Sequence, residues 1–408
     1  MRVVLLNQYY YPDVAATAQL AADLGESLAA RGHQVRAVAS MRPYVAADGL
    51  PARLPLRASH AGVEIVRVPA TALGRRSRLL RAVDYASFFA AAALPLVAGA
   101  RPDVVVALST PPLVASLGLL TRALRRSRLV LWVMDVYPEL AIELGALSAG
   151  GAPARALAAA SRLLLQRADA VVALDDAMRD RLVAAGAAAS KIEVIDNWGD
   201  GDAIRPMPAA DNALRRRLGR AGMFTVSYSG NMGNGHDFDT ITDAMALLAA
   251  EPIHWLFIGD GPRRPALEER VRALGLPHVT FLGYRPRDEL PVSLTAADVS
   301  LVTMEAGLAG LLVPSKLYSL LAAGVPIAYV GPPAGRAFSV VEEDGAGVAV
   351  RNGDAAGLAA ALLTLRRRAD ARAEMGRRGR ALYETRYHKR LALARHLRLL
   401  ERVVGARC

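Results

Sequence analysis

Short apolar runs recur along nearly the whole chain, with helical stretches between most of them. Arg2–Asn7, Gln34–Ala39, Val63–Val68, Val104–Leu108, Leu129–Met134, Ala170–Ala173 and Ile192–Ile195 form one series. Phe224–Ser229, Ile253–Ile258, Val279–Leu282, Val299–Val302, Ile327–Val330 and Gly347–Val350 form a second. Strands this short and this uniformly apolar are buried on both faces, which requires helices above and below the sheet. The expected class is α/β, with two doubly wound, Rossmann-like parallel sheets. Between the two series, Asn197–Gly222 carries Trp198, Gly199, Gly201, Pro206, Pro208 and Gly219 and reads as the linker. The 408 residues are enough for two domains. Ligands of such sheets bind at the carboxyl ends of strands, so two facing units would hold theirs in an interdomain cleft. Asp354 to Val404 reads as helical and Arg-rich.

Hydrophobic content of 53% with 22% charged residues excludes a disordered chain. The only cysteine, Cys408, excludes an intramolecular disulfide framework and a cysteine metal cluster, and fits a reducing cytoplasm. Net charge is +12 and almost all of the positive charge is arginine; lysine occurs only at Lys191, Lys316 and Lys389. Arg75, Arg76, Arg78 and Arg81 precede the apolar run Ala82 to Ala100, and Arg122, Arg125, Arg126 and Arg128 form a second cluster. Basic residues beside an apolar helix suit an anionic membrane surface; a generally basic, solvated exterior is the alternative. Aromatics are only 5% and no recognition motif appears, so nucleic acid is not an expected partner. The start, MRVVLLNQYYYP, lacks the apolar length of a signal peptide. The 82–100 run holds Asp84, Ser87 and Pro95, which argues for a buried or membrane-touching helix rather than a span.

Val313 to Val330, VPSKLYSLLAAGVPIAYV, places Pro314 in a helix's first turn, Lys316 two residues on, a stopping Gly324 and then a strand. The N–H groups of Ser315, Lys316 and Leu317 would face out of the helix end, where the dipole and the Lys316 charge favour an anion such as a diphosphate. Three glycine turns follow strands of the same series: Tyr228-Ser-Gly-Asn-Met-Gly-Asn-Gly235, with Gly230, Asn231 and Gly233; Phe257 to Arg264, with Gly261 and a reachable Arg263 or Arg264; and Phe281 to Arg285, where Tyr284 is able to stack on a base. Each alone is an ordinary turn, but together they ring one set of strand ends. In the first series, Asn7 to Asp13, with Tyr11, opens a helix and forms one wall of a cleft. Trp132 to Glu139 ends a strand with Asp135 and Glu139, acids at a carboxyl end. Asp135 reads as a helix cap or as functional, and its Trp, Tyr and Pro neighbours favour the second. The Asp175-Asp176 pair and His236 read as helix starts, structural in role. No metal-ligand spacing occurs, so no metal site is expected.

Taken in order, NQYYYPDVAATAQLAADLGESLAARGHQV, DVYPELAIELG, YSGNMGNGHDF, FIGDGP, FLGYRPRDEL and VPSKLYSLLAAGVPI resemble the retaining GT-B glycosyltransferases of family 4, in the colanic-acid and fucosamine-transferase-like branch that builds bacterial surface polysaccharides. The resemblance covers nearly the whole chain. It implies an acceptor-side domain over 1–200, a nucleotide-sugar domain over 201–385, and a segment 386–408 that crosses back to the first domain. It implies a nucleotide-sugar donor whose base lies by Tyr284 and Arg285 and whose diphosphate lies near Gly230, Asn231, Gly233, Gly261, Arg263, Pro314, Ser315 and Lys316, with Ser319 nearby. A saccharide or lipid-linked acceptor would enter near Tyr11, Asp13, Asp135 and Glu139. Lys316, Arg263 and Asp135 would carry catalysis, without metal or cofactor, at the inner face of a membrane. Departures are specific. Leu311 and Ser319 stand where many relatives have a glutamate pair, Asn231 and Asn234 where they have Arg and Lys, and Asp135 where they have a histidine. A nucleotide-sugar epimerase of the same fold, or a degenerate transferase acting as a binding protein, are the competing readings.

Overall fold

The computed structural model describes residues 1–44, 51–71, 73, 78–220 and 222–406. The Arg75–Arg76 part of the first basic cluster, the Arg78 side chain and Cys408 lie outside the described residues. The chain divides into two compact units, Met1–Asp196 with Ala392–Cys408, and Asn197–Leu391.

In the first unit the strands are β1 Arg2–Leu6, β2 Gln34–Ser40, β3 Arg57–His60, β4 Val63–Val68, β5 Val104–Leu108, β6 Arg128–Trp132, β7 Ala170–Ala173 and β8 Ile192–Val194. Its helices are α1 Ala16–Ala29, α2 Arg78–Val97, α3 Ala115–Arg125, α4 Glu139–Glu143, α5 Ala152–Arg167 and α6 Asp176–Ala184. The sheet order is β3-β4-β2-β1-β5-β6-β7-β8. All pairs are parallel except β3–β4, which is antiparallel. The strand reading thus missed β3. Its sequence, Arg-Ala-Ser-His, is polar and half exposed, as an edge strand with one free side must be. β5 and β7 are buried at every residue, the signature of strands covered on both faces. Asp175 caps α6 through a 2.7 Å bond from the Met178 N–H, as its sequence position predicts.

Of the two alternatives for α2, buried or membrane-touching, the first does not hold. Over Leu79–Val97 mean hydropathy is 1.4, yet only 17% of that stretch is buried in the protein. Leu79 and Leu94 are 74% and 70% exposed. Three guanidiniums of the second arginine cluster are engaged within the unit: Arg125 donates to the Gly99 carbonyl, and Arg122 and Arg128 pair with Asp169; the Arg126 carbonyl accepts from Arg101. These guanidiniums brace the carboxyl end of α3, where the helix dipole favours cations.

In the second unit the strands are β9 Phe224–Ser229, β10 Ile253–Ile258, β11 Val279–Leu282, β12 Val299–Thr303, β13 Ile327–Val330 and β14 Gly347–Val350. The helices are α7 Ala213–Arg217, α8 Phe238–Leu247, α9 Arg264–Ala273, α10 Leu290–Leu294, α11 Lys316–Ala323, α12 Gly335–Phe338, α13 Ala355–Arg367 and α14 Ala369–Leu382. α15, Lys389–Gly405, begins in this unit and runs into the first. The order is β11-β10-β9-β12-β13-β14, parallel throughout. Its core gathers Tyr228, Met232, Phe238, Trp255, Phe257 and Leu358 on one side of the sheet. The linker stretch is not structureless. Asn212 caps α7 by accepting from Arg215 N–H at 2.9 Å, and Tyr383 packs on Gly199 and Gly201.

Candidate functional site

Among its parallel strands each sheet reverses order at one point, and a doubly wound sheet opens its ligand crevice there. In the second unit the reversal lies between β9 and β12, which pair through Val226 with Val299 and Ser227 with Ser300. The segments after these two strands are tied together: Glu305 N–H donates to the Gly235 carbonyl at 3.0 Å, and His236 Nδ1 meets the Thr303 carbonyl at 2.7 Å. α11 brings Lys316 to the same place.

Lys316 is the most informative side chain of the unit. Its Nζ is buried without a hydrogen-bond partner and lies 3.4 Å from the centre of the Tyr228 ring. Burial holds its amine well below the ordinary lysine range. A Cβ at Gly230, where φ is +139°, would stand 3.4 Å from Lys316 Cε, so the turn after β9 and this side chain share one surface. The helix start differs from the sequence expectation. Pro314 precedes the cap residue Ser315, and Leu317 N–H bonds back to the Pro314 carbonyl at 3.1 Å, so it is not available to an anion. The N–H groups of Ser315 and Lys316 remain without an acceptor among the described residues. Gly324 ends the helix in the left-handed conformation, as predicted.

His236, read from sequence as a structural helix start, lies outside α8, which Asp237 caps by accepting from Thr240 N–H at 2.9 Å. Burial, then the Lys316 charge, lower its imidazole to about 3, so the ring is neutral. Its bond to a carbonyl requires the proton on Nδ1, leaving Nε2 as an acceptor. No spacing rule reveals this; it depends on β12 lying beside β9.

Two glycines serve backbone contact. A Cβ at Gly259 would fall 2.1 Å from the Gly230 oxygen, and one at Gly261 2.5 Å from the Met232 oxygen. Gly261 thus lets two turns nest. Gly233 faces the Asn231 side chain, and Tyr284 Oη lies 3.3 Å from Asn231 Oδ1 and 3.2 Å from the Asp260 carbonyl. Arg285 Nε donates to Glu289 at 2.9 Å. Arg263 bridges to Asp239 at 3.1 Å on a partly exposed arm. Arg264 is committed to the Gly259 carbonyl and Glu268. Ser319 sits with its backbone against Gly199, where a Cβ would approach within 2.9 Å. Leu311 is buried.

In the first unit the order reverses between β1 and β5, and Gln8 N–H donates to the Thr110 carbonyl across that point at 2.9 Å. Asp13 is buried, with its oxygens accepting from Ala15 N–H at 2.9 Å and Tyr44 N–H at 2.6 Å, and it braces the loop. Tyr11 stacks on His60 of β3 at 3.6 Å between centroids. Asp135 is no helix cap, since α4 starts at Glu139 after Pro138. Ser109 Oγ accepts from both the Met134 and Asp135 N–H groups at 3.0 Å and fixes this turn. Burial pushes the Asp135 carboxyl up to about 6. It borders a pocket open to solvent and lined by Ser109, Leu113, Trp132, Tyr137 and Leu164. Glu139 Oε2 is buried without a hydrogen-bond partner. Ser109 was not singled out from sequence, although its place at a strand end beside the switch point would have marked it. Among the described residues no group of three or more His, Cys, Asp or Glu side chains is placed to hold a metal ion.

Two Rossmann-like units, each built on a mainly parallel sheet, make up the GT-B fold. Residues 16–198 match the glycosyl transferase 4-like domain and residues 223–368 match glycosyl transferases group 1, so the chain belongs to the family-4-type glycosyltransferases that pair these two domains. It is 28% identical over 334 residues to the putative colanic acid biosynthesis glycosyl transferase WcaI of Escherichia coli, covering 79% of this chain and 82% of that one. It is 29% identical over 252 residues to the probable glycosyltransferase WbjE of Pseudomonas aeruginosa, covering 60% of this chain and 62% of that one. The fold matches Anabaena HepE, solved with UDP and glucose, at a TM-score of 0.74 and 20% identity over 98% of this chain and 100% of that one. It also matches the lipopolysaccharide glycosyltransferase WaaG at 0.71 and 16% identity, over 99% and 100%.

Proposed function

We propose that the protein transfers a hexosyl or N-acetylhexosaminyl group from a nucleoside diphosphate sugar to a saccharide or lipid-linked saccharide, with retention of configuration. The observation that carries this reading is Lys316: a buried amine with no hydrogen-bond partner, at the head of α11, over the Gly230 turn. Lys316, the Ser315 and Lys316 N–H groups and Arg263 neutralise the diphosphate as it leaves, which stabilises the charge that develops in the transition state. Tyr284 and Arg285 flank the base; Asn231 and Gly233 line the turn beneath the phosphates. The bond from the sugar's anomeric carbon to the diphosphate oxygen breaks, with its electron pair going to the diphosphate. The acceptor oxygen bonds to that carbon on the same face and its proton passes to a leaving-phosphate oxygen. Asp135 orients the acceptor, with Tyr11 and Glu139 on the acceptor's side. The chemistry needs no metal and no resident cofactor in this reading.

The acceptor's place is proposed to be the cytoplasmic face of an anionic membrane, on which the exposed apolar side of α2 rests. The test of donor binding is thermal denaturation with UDP, GDP and dTDP, free and as sugar conjugates. A nucleotide that binds the folded chain raises its melting temperature by mass action. One of them is expected to do so, and to lose the effect in Lys316→Ala. A flat response to all three sets overturns the reading.

A further inference from the structure

We propose that Tyr228 is a positioning residue for Lys316: its ring face, in place of a carboxylate, holds the amine above the Gly230 turn. The inference rests on the donor-site reading above. A buried lysine ordinarily has an acidic partner. Lys316 has no hydrogen bond and no carboxylate within ion-pair distance among the described residues, only the Tyr228 ring at 3.4 Å.

That ring is itself immobile. Tyr228 is fully buried on β9, with Phe238 edge-on at 5.0 Å, His236 edge-on at 5.8 Å and Phe257 at 6.5 Å. Its hydroxyl donates to the Asn231 carbonyl at 2.6 Å. One side chain therefore sets both parts of the site, the ring placing the amine and the hydroxyl holding the turn. The choice of a ring has a physical reason. A carboxylate would lock Lys316 in a buried ion pair that an arriving diphosphate must break, and would then stand as a like charge beside it. A ring attracts an ammonium through its quadrupole while carrying no net charge, so the lysine's charge stays available to the anion.

The three lysines make this directly readable. Protein labelled with 13C-lysine gives three ε-methylene signals, and that of Lys316 is expected to carry a strong upfield ring shift in the wild type and in Tyr228→Phe. In Tyr228→Leu the shift disappears while the Lys191 and Lys389 signals stay put, and the nucleoside diphosphate that stabilises the wild type binds about tenfold more weakly. Tyr228→Phe, which keeps the ring but leaves the Asn231 carbonyl without its donor, loses less affinity than Tyr228→Leu. A wild-type spectrum without a ring-shifted lysine overturns the inference even if Tyr228→Leu fails to fold. So does a folded Tyr228→Leu that binds as the wild type does. Binding that survives Lys316→Met overturns the donor-site reading itself; binding lost in Lys316→Met but intact in Tyr228→Leu removes only the role of Tyr228.

Discussion

Tyr383 Oη accepts from the Gly201 N–H and donates to the Gly199 carbonyl, both at 2.8 Å, and the Gly201 α-carbon is pressed against the same ring. A Cβ on Gly201 would lie 2.1 Å from Tyr383 Cε1. Lys389 pairs with Asp200 at 3.3 Å beside it, so Gly199–Gly201 and the chain leading into α15 form one fastened pair. Gly201→Ala is expected to destabilise the protein by about 2 kcal/mol through overpacking. Tyr383→Phe should cost about the same by orphaning a buried N–H and carbonyl. Urea denaturation followed by circular dichroism checks both; unchanged midpoints would mean the fastening contributes nothing.

Lys316 couples nucleotide binding to protons. Burial depresses its amine in the empty site, and a diphosphate beside it would raise the same group. Binding should therefore take up a proton between the free and bound pKa values. Affinity is level below the free value and falls as pH climbs toward the bound one. Calorimetry in two buffers of different ionisation enthalpy reads the uptake, and zero uptake across the range contradicts it. Turnover in Lys316→Ala should drop by about two to three orders of magnitude.

Asp135 makes a prediction in which stability and activity move in opposite directions. Its carboxyl sits at about 6 when folded, above the ordinary value of 3.8. The folded protein binds the extra proton between those values, so this group's contribution to stability falls as pH rises from 3.8 to 6 and stays lost above. Asp135→Asn should therefore melt higher than wild type at pH 7 while transferring sugar more slowly. A variant that melts lower, or that keeps full activity, would show the carboxylate to be structural.

α2 should carry vesicle binding if its apolar side rests on lipid. Leu79→Glu and Leu94→Glu remove exposed side chains, so melting should stay within experimental error. Co-sedimentation with phosphatidylglycerol vesicles should weaken by about tenfold or more for each. Binding by the wild type that is absent at low salt, or unaffected by both changes, counts against the lipid surface.

The central parallel strands were legible because they are buried on both faces and read as apolar runs; β5 is buried from Val104 to Leu108 and β7 from Ala170 to Ala173 without a gap. β3 was not, because an edge strand of three polar residues and one alanine has no such run. The start of α11 was misplaced by a residue or two because Pro314 fits outside a helix as well as in its first turn, and only the Leu317 to Pro314 bond decides between them. Glycine turns were visible as turns, but which glycines nest against backbone, as Gly259 does against Gly230, depends on neighbours from another strand. His236 depends in the same way on a β12 contact that no local spacing encodes.

The first unit is discontinuous in the chain, and this bears on how it is made. α15 gives it His396 against Trp132 at 4.5 Å, Arg395 on the Val194 carbonyl and Arg402 on Glu193. A ribosome delivers those residues only after the whole of Asn197–Leu391. At about 5–20 residues per second that interval is roughly 10–40 s, during which Trp132 and the β8 edge wait without their cover. The unit synthesised first is the one completed last, and a nascent chain halted before Ala392 should recruit chaperones that the finished protein does not.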